Sequence, residues 1–170
     1  FLGKGMDTIA GYAVNVGRSA ITYDQIGCGA SSGLKDKPRD FWQVSIFVKE
    51  FYELINHLGI ADNFALNGHS WGGLLAAEIA ITQPQGLRAL ILSSPLGDTD
   101  TWIEGVKGLL AAMPPEISSV IIKHEEDGTT DNPEYMEAAM KFYDKHVIRV
   151  PMPPDVAAMF EEALADQNVY

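Results

Sequence analysis

The feature that most constrains the fold of this chain is the segment Gly68-His69-Ser70-Trp71-Gly72-Gly73. An apolar run at residues 64–66 precedes it, and residues 74–80 follow it with a helical pattern. A G-x-S-x-G sequence between a strand and a helix is typical of a nucleophile elbow, a turn so tight that the serine backbone is strained. Gly68 and Gly72 would meet the need for small residues where strand and helix converge.

The predicted turn places two groups together that could act on a substrate. The Ser70 hydroxyl would be raised above the sheet, and the first N–H groups of the following helix would point at the same position. Ser70 is therefore a candidate nucleophile, and the Trp71 backbone N–H is a candidate donor for a developing oxyanion. The alternative is a glycine-rich turn between strand and helix that binds nothing.

Composition limits the class of partner. The formal net charge is −11 and the pI is near 4.6, which argues against nucleic acid or an anionic membrane surface as a partner. No apolar run has the ~18 residues of a spanning helix, and no signal peptide is visible. The single cysteine, Cys28, excludes an internal disulfide and favours a cytoplasmic location. There is no clustered His/Cys, so we expect neither a metal site nor a cofactor.

Hydrophobic patterning predicts an α/β protein with a parallel sheet. Buried strands are expected at residues 19–23, 63–68 and 87–92, separated by helices. In the helix predicted from Asp40, Gln43 would complete a capping box. Residues 1–95 would form a partial α/β core that contains the elbow.

From residue 96 onward the pattern changes to helices, and we expect residues 96–170 to form an incomplete helical cap. The predicted helices are 99–113, 115–125, 132–147 and 154–170. Asn132 would cap the third of them. Its apolar face would contain Met136, Met140, Tyr143 and Val147.

A glycine-bearing loop at residues 24–33 raises the question of a dinucleotide site. The spacing does not match G-x-G-x-x-G, because Ser32 stands where the third glycine belongs. Asp24 would also face the phosphates. A nucleotide-binding loop is therefore disfavoured.

Five segments taken together carry a family resemblance. They are residues 23–31, 68–73, 92–96, 124–131 and 142–147. In these segments the chain resembles the proline iminopeptidase (prolyl aminopeptidase) family of α/β-hydrolases, and in detail its fungal-type branch. The segments fall in family order and cover nearly the whole chain.

The resemblance implies a Ser–Asp–His hydrolase that removes an N-terminal residue, typically proline, from a small peptide or an amino-acid amide. By this match Ser70 is the nucleophile and the Trp71 N–H is one oxyanion donor. The second donor would be the backbone N–H of Gly3. In the family this donor lies in a His-Gly-Gly-Pro-Gly loop, which corresponds to residues 1–5 here. Only the glycines Gly3 and Gly5 agree with that loop, and its histidine and proline are absent.

The order of a hydrolase triad bears on what this chain can do alone. In the family the triad Asp and His follow the cap. Of the four histidines here, His57 precedes Ser70, His69 is inside the elbow, and His124 and His146 match cap-helix positions. The chain also begins without methionine and stops inside a helical pattern. We therefore expect a piece of a longer protein that is inactive by itself. A non-catalytic hydrolase-like binding protein and a related amino-acid amidase or esterase remain alternatives.

Overall fold

The computed structural model describes residues 7–31, 33–154 and 156–157. The chain divides into two compact units. One contains the residues up to Leu96, and the other is Gly97–Pro153. The proposed division into a core at 1–95 and a cap at 96–170 stays a prediction.

The first unit holds the sheet. Its elements are α1 (Asp7–Asn15), a 3₁₀ turn (Arg39–Phe41), α2 (Val44–His57), β1 (Phe64–His69), α3 (Trp71–Ile81) and β2 (Leu87–Ser93). The two strands pair in parallel, from Phe64 opposite Leu87 to His69 opposite Ser93. A parallel pair joined by a helix confirms the predicted α/β class.

The strand predicted at residues 19–23 does not form. These residues are irregular, and the described residues offer them no neighbouring strand. A strand needs lateral hydrogen bonds from a partner, so an apolar, β-branched run is not sufficient.

The core of the first unit lies between α2, β1 and α3. Phe47, Phe51 and Ile55 lie one turn apart on α2 and share one buried face. They pack against buried residues of the other two elements, which are Phe64, Leu75 and Ile79. Each fully buried side chain of this kind contributes about 1.5–3 kcal/mol, and this packing fixes α3 against the sheet.

The start of α2 differs from the prediction. The helix begins at Val44 after Gln43, and Asp40 lies in the 3₁₀ turn. The Gln43 side-chain amide donates to the Asp40 carbonyl at 2.9 Å, so it does not form the reciprocal bonds of a capping box.

The second unit is helical. It contains α4 (Thr99–Ala111), α5 (Pro115–Asp127) and α6 (Pro133–His146). Asn132 caps α6 as predicted, since its Oδ1 accepts the Glu134 N–H at 2.9 Å. The helix predicted at 154–170 lies almost entirely outside the described residues.

The buried face of α6 is not the predicted one. All four residues of the predicted face are exposed, namely Met136, Met140, Tyr143 and Val147. Ala138 is buried instead, with Tyr135 and Phe142 partly buried beside it in a core with Leu110, Met113 and Ile121. The face of α6 that contains Ala138 is therefore the one packed in this core.

Candidate active site

The turn that carries Ser70 has the strained geometry expected of an elbow. Ser70 lies between the end of β1 and the start of α3 with φ 54° and ψ −120°. A non-glycine residue in such a region costs about 1–3 kcal/mol. Three backbone hydrogen bonds hold it there: the Ser70 N–H donates to the Ser93 carbonyl at 3.0 Å, and the Ser70 carbonyl accepts the N–H groups of Gly73 at 2.9 Å and Leu74 at 3.2 Å.

Close packing explains two of the glycines around Ser70. A Cβ at Gly68 would overlap the Gly72 carbonyl and lie 2.8 Å from the Gly73 nitrogen. A Cβ at Gly73 would lie 2.9 Å from the Pro95 Cβ. For Gly72 the prediction of crowding is wrong within the described part of the chain, where nothing lies within 4 Å of its Cβ position. The strand approaches the Gly72 backbone and leaves its side-chain direction open.

Ser70 and Trp71 present their polar groups at one helix N-terminus. Ser70 precedes α3, and its hydroxyl makes no capping hydrogen bond. Trp71 is the first residue of that helix, where a backbone N–H has no intrahelical acceptor. The positive end of the helix dipole is therefore next to the hydroxyl, which is the arrangement needed to stabilise an oxyanion.

The Trp71 side chain is held from two sides. Its indole N–H donates to Gln25 Oε1 at 3.2 Å. Its ring makes an edge-to-face contact with Phe47, with centroids 5.6 Å apart. The loop of residues 24–31 is thereby attached to the elbow.

Two ionisable groups lie beside this loop. Glu50 Oε1 accepts the Ile26 N–H at 2.7 Å, while Oε2 is buried with no hydrogen-bond partner among the described residues. Burial raises the pKa of Glu50, and the bond from Ile26 opposes this only in part. Burial likewise raises the pKa of Tyr23 to about 12, against the effect of its hydrogen bond with the Gln25 side chain.

Sequence reasoning missed Gln25 and Glu50. Their contacts join residues 46 and 24 positions apart, so no local pattern reveals them. The available signal is that Gln25 is a polar residue inside a segment matched to the family and has no assigned role there.

The four histidines lie in different parts of the chain. His57 is exposed at the end of α2, and His69 is the last residue of β1. In the second unit, His124 Nδ1 lies 2.7 Å from Thr129 Oγ1, and its Nε2 lies 3.5 Å from Glu134. The His146 ring lies against Phe142 with centroids 4.9 Å apart.

Three further expectations concern Gly3, a metal site and a membrane-spanning helix. Gly3 lies outside the described residues, so its role as a second oxyanion donor stays a prediction. Within residues 7–31, 33–154 and 156–157, no three His, Cys, Asp or Glu side chains are grouped so as to hold a metal ion. No helix in that part of the chain is long and apolar enough to cross a membrane.

Comparison with known proteins shows which families and chains this one is similar to. A family model described as alpha/beta hydrolase fold matches residues 6–163. A proline iminopeptidase of Heyndrickxia coagulans is 37% identical over 133 residues, which cover 77% of this chain and 44% of that protein. A proline iminopeptidase of Saccharolobus solfataricus is 35% identical over 150 residues, which cover 86% of this chain and 47% of that protein.

Two solved structures are also similar to this chain. The crystal structure of a proline iminopeptidase from Mycobacterium smegmatis has a TM-score of 0.87 and 40% identity, covering 99% of this chain and 56% of that one. The crystal structure of VinJ has a TM-score of 0.92 and 38% identity, covering 99% of this chain and 59% of that one. The chain thus spans less than half the length of the two curated relatives described. Its assignment to a fungal-type branch stays a prediction.

Proposed function

The chain belongs to the α/β-hydrolase fold family, and from this premise we propose that Ser70 is the nucleophile of a serine aminopeptidase. Its substrate would be a small peptide or amino-acid amide with a free N-terminal residue, in the first place proline. The observation that carries the proposal is the Ser70 turn, at φ 54° and ψ −120°, directly before α3. The relatives named proline iminopeptidase support the choice of substrate.

The proposed chemistry is acyl transfer in two steps. A base removes the proton of Ser70 Oγ, which attacks the substrate carbonyl carbon. The resulting oxyanion accepts a hydrogen bond from the Trp71 backbone N–H, and the tetrahedral intermediate collapses as the amine leaves with a proton. Water then attacks the acyl-enzyme by the same route and releases the free amino acid.

The 170-residue chain by itself is proposed to be inactive. The triad histidine of such hydrolases follows the cap, whereas the four histidines here lie before Ser70, inside the elbow, or in α5 and α6. Loss of the base from such a triad costs on the order of 10⁶ in kcat, which leaves a residual rate of ~10³–10⁴ over the reaction in water.

The test supplies the base from solution. Hydrolysis of a prolyl p-nitrophenyl ester is measured with the chain and with Ser70→Ala, each with and without added imidazole. We expect no turnover without imidazole, and turnover above the imidazole background that only the Ser70 protein shows. Burst kinetics and mass spectrometry of a prolyl adduct on Ser70 would identify the acyl-enzyme.

Each outcome has a defined meaning. Equal rates for the chain and Ser70→Ala at every imidazole concentration would contradict Ser70 as nucleophile and favour a binding protein with a hydrolase fold. Turnover that requires Ser70 but not imidazole would contradict only the proposed inactivity. An N-acetylprolyl ester hydrolysed as fast as the prolyl ester would argue for a general esterase or amidase instead of an aminopeptidase.

A further inference from the structure

Gln25 is a buried polar residue with no assigned role in the proposed chemistry. Only 7% of it is exposed, and it lies in the same unit as the Ser70 turn. A buried amide is costly unless it is hydrogen-bonded. Its Oε1 accepts the Trp71 indole N–H at 3.2 Å, and Trp71 directly follows Ser70 in the chain.

The Gln25 contact is made to a residue beside the candidate nucleophile. The Trp71 ring makes an edge-to-face contact with Phe47, and Gln25 Oε1 accepts the hydrogen bond of its indole N–H. Because Trp71 is the first residue of α3, the rotamer of its side chain is coupled to the backbone that carries the proposed oxyanion donor.

The loop that carries Gln25 is itself fixed. The Ile26 N–H donates to Glu50 Oε1 at 2.7 Å, on the helix that also supplies Phe47. Within the loop, Ser31 Oγ donates to the Asp24 carbonyl at 2.6 Å, and the Ala30 N–H donates to Asp24 Oδ2 at 3.0 Å. Gln25 is therefore presented to Trp71 from a rigid support, which is what positioning requires.

We propose that Gln25 is a positioning residue that holds the Trp71 indole and thereby sets the direction of the Trp71 backbone N–H beside Ser70. The inference rests on the proposed function only where that N–H is called an oxyanion donor. Its structural part, the coupling of Gln25 to the elbow backbone, stands or falls separately. A lost or misplaced oxyanion donor lowers rates by ~10²–10³ at most, so the expected loss for a displaced donor is about tenfold or more in kcat.

The experiment reads the coupling directly in ¹⁵N-labelled protein. Gln25→Leu removes the acceptor, and we expect the Trp71 indole N–H signal to move upfield and the backbone amide signals of Trp71 and Gly72 to shift. Gln25→Glu keeps an acceptor oxygen at the same reach and should restore the indole signal, even where the added charge lowers the melting temperature. Gln85→Leu, the same change at an exposed turn position, should move none of these signals.

A second variant keeps the test decisive if Gln25→Leu fails to fold. Gln25→Met removes the acceptor with an unbranched side chain of nearly the same length, so the Trp71 indole signal and the Trp71 backbone amide should still shift. Unchanged elbow amide signals in either folded variant would overturn the proposal, as would an indole signal that Gln25→Glu does not restore.

The imidazole-dependent assay separates the two proposals. If the elbow amides shift and Ser70-dependent kcat falls at unchanged KM, both stand. If the amides shift while no variant or wild-type protein shows Ser70-dependent turnover, the proposed function fails and the coupling of Gln25 to the elbow is upheld.

Discussion

The Ser70 N–H donates to the Ser93 carbonyl at 3.0 Å, so the strained turn is joined to the last residue of β2. The residue after this acceptor, Ser94, also has a positive φ of 47°. Both strands of the sheet are thus followed by a non-glycine residue with unfavourable backbone geometry. In open α/β sheets, ligands bind at the carboxyl ends of the strands, and backbone strain is concentrated at such sites.

Glycine at position 70 is expected to stabilise the fold relative to alanine. At φ 54° alanine carries the same strain as serine, whereas glycine adopts positive φ readily, so Ser70→Gly should be more stable than Ser70→Ala by ~1–3 kcal/mol. Urea unfolding of both variants measures the difference. At Glu78, an exposed position inside α3, Glu78→Ala should instead be more stable than Glu78→Gly by ~1 kcal/mol. Alanine being the more stable at both positions would contradict strain at Ser70.

The two elbow glycines should respond differently to a methyl group. Gly68→Ala places its Cβ against the Gly72 carbonyl, and such overpacking costs about 1–3 kcal/mol. Gly72→Ala meets open space among the described residues and lies in a helix, where alanine is favoured over glycine. Denaturant unfolding should therefore show a loss of stability only for Gly68→Ala. An equal loss in both variants would show that the turn is crowded on both sides.

Much of this fold was predictable from local sequence patterns. The predictions that failed were those that depend on residues far away along the chain. The elbow was predictable because its glycines, Ser70 and the flanking apolar residues lie within one short segment. Likewise, the cap of α6 depends on Asn132 and Glu134, two residues apart. Which face of α6 is buried depends instead on α5, and the role of Gln25 depends on a tryptophan 46 residues away. Residues 19–23 have a strand-like composition, but no strand among the described residues lies beside them to pair with.

Neutralising Glu50 should change how stability depends on pH. Burial raises its folded-state pKa above the ordinary 4.5, so the protonated form is favoured by folding. Its contribution is fully present below pH 4.5 and is lost as the pH rises through the folded-state pKa. Glu50→Gln keeps an acceptor for the Ile26 N–H and removes the buried charge. The variant should therefore gain stability relative to the wild type as the pH rises through that window.

Urea unfolding at a series of pH values measures this gain. Glu78→Gln, on the exposed side of α3, controls for the loss of one negative charge. A constant difference between Glu50→Gln and the wild type across the series would contradict a raised pKa at Glu50.

The buried His124 gives the last prediction, in the helical unit. Only 5% of His124 is exposed, and its Nδ1 lies 2.7 Å from Thr129 Oγ1. Thr129→Val removes the hydroxyl but keeps the side-chain shape and the bond from the Thr129 N–H to the His124 carbonyl. The imidazole nitrogen is then left buried without that partner, which costs about 1–3 kcal/mol.

Hydrogen exchange of the α5 and α6 amides reports this loss within the helical unit alone. Protection should fall in Thr129→Val and should be unchanged in Thr130→Val, the same substitution at the next, exposed threonine. Equal protection in the two variants would mean that the imidazole finds another partner. The unit would then be held by its apolar core of Leu110, Met113 and Ile121 and not by the histidine.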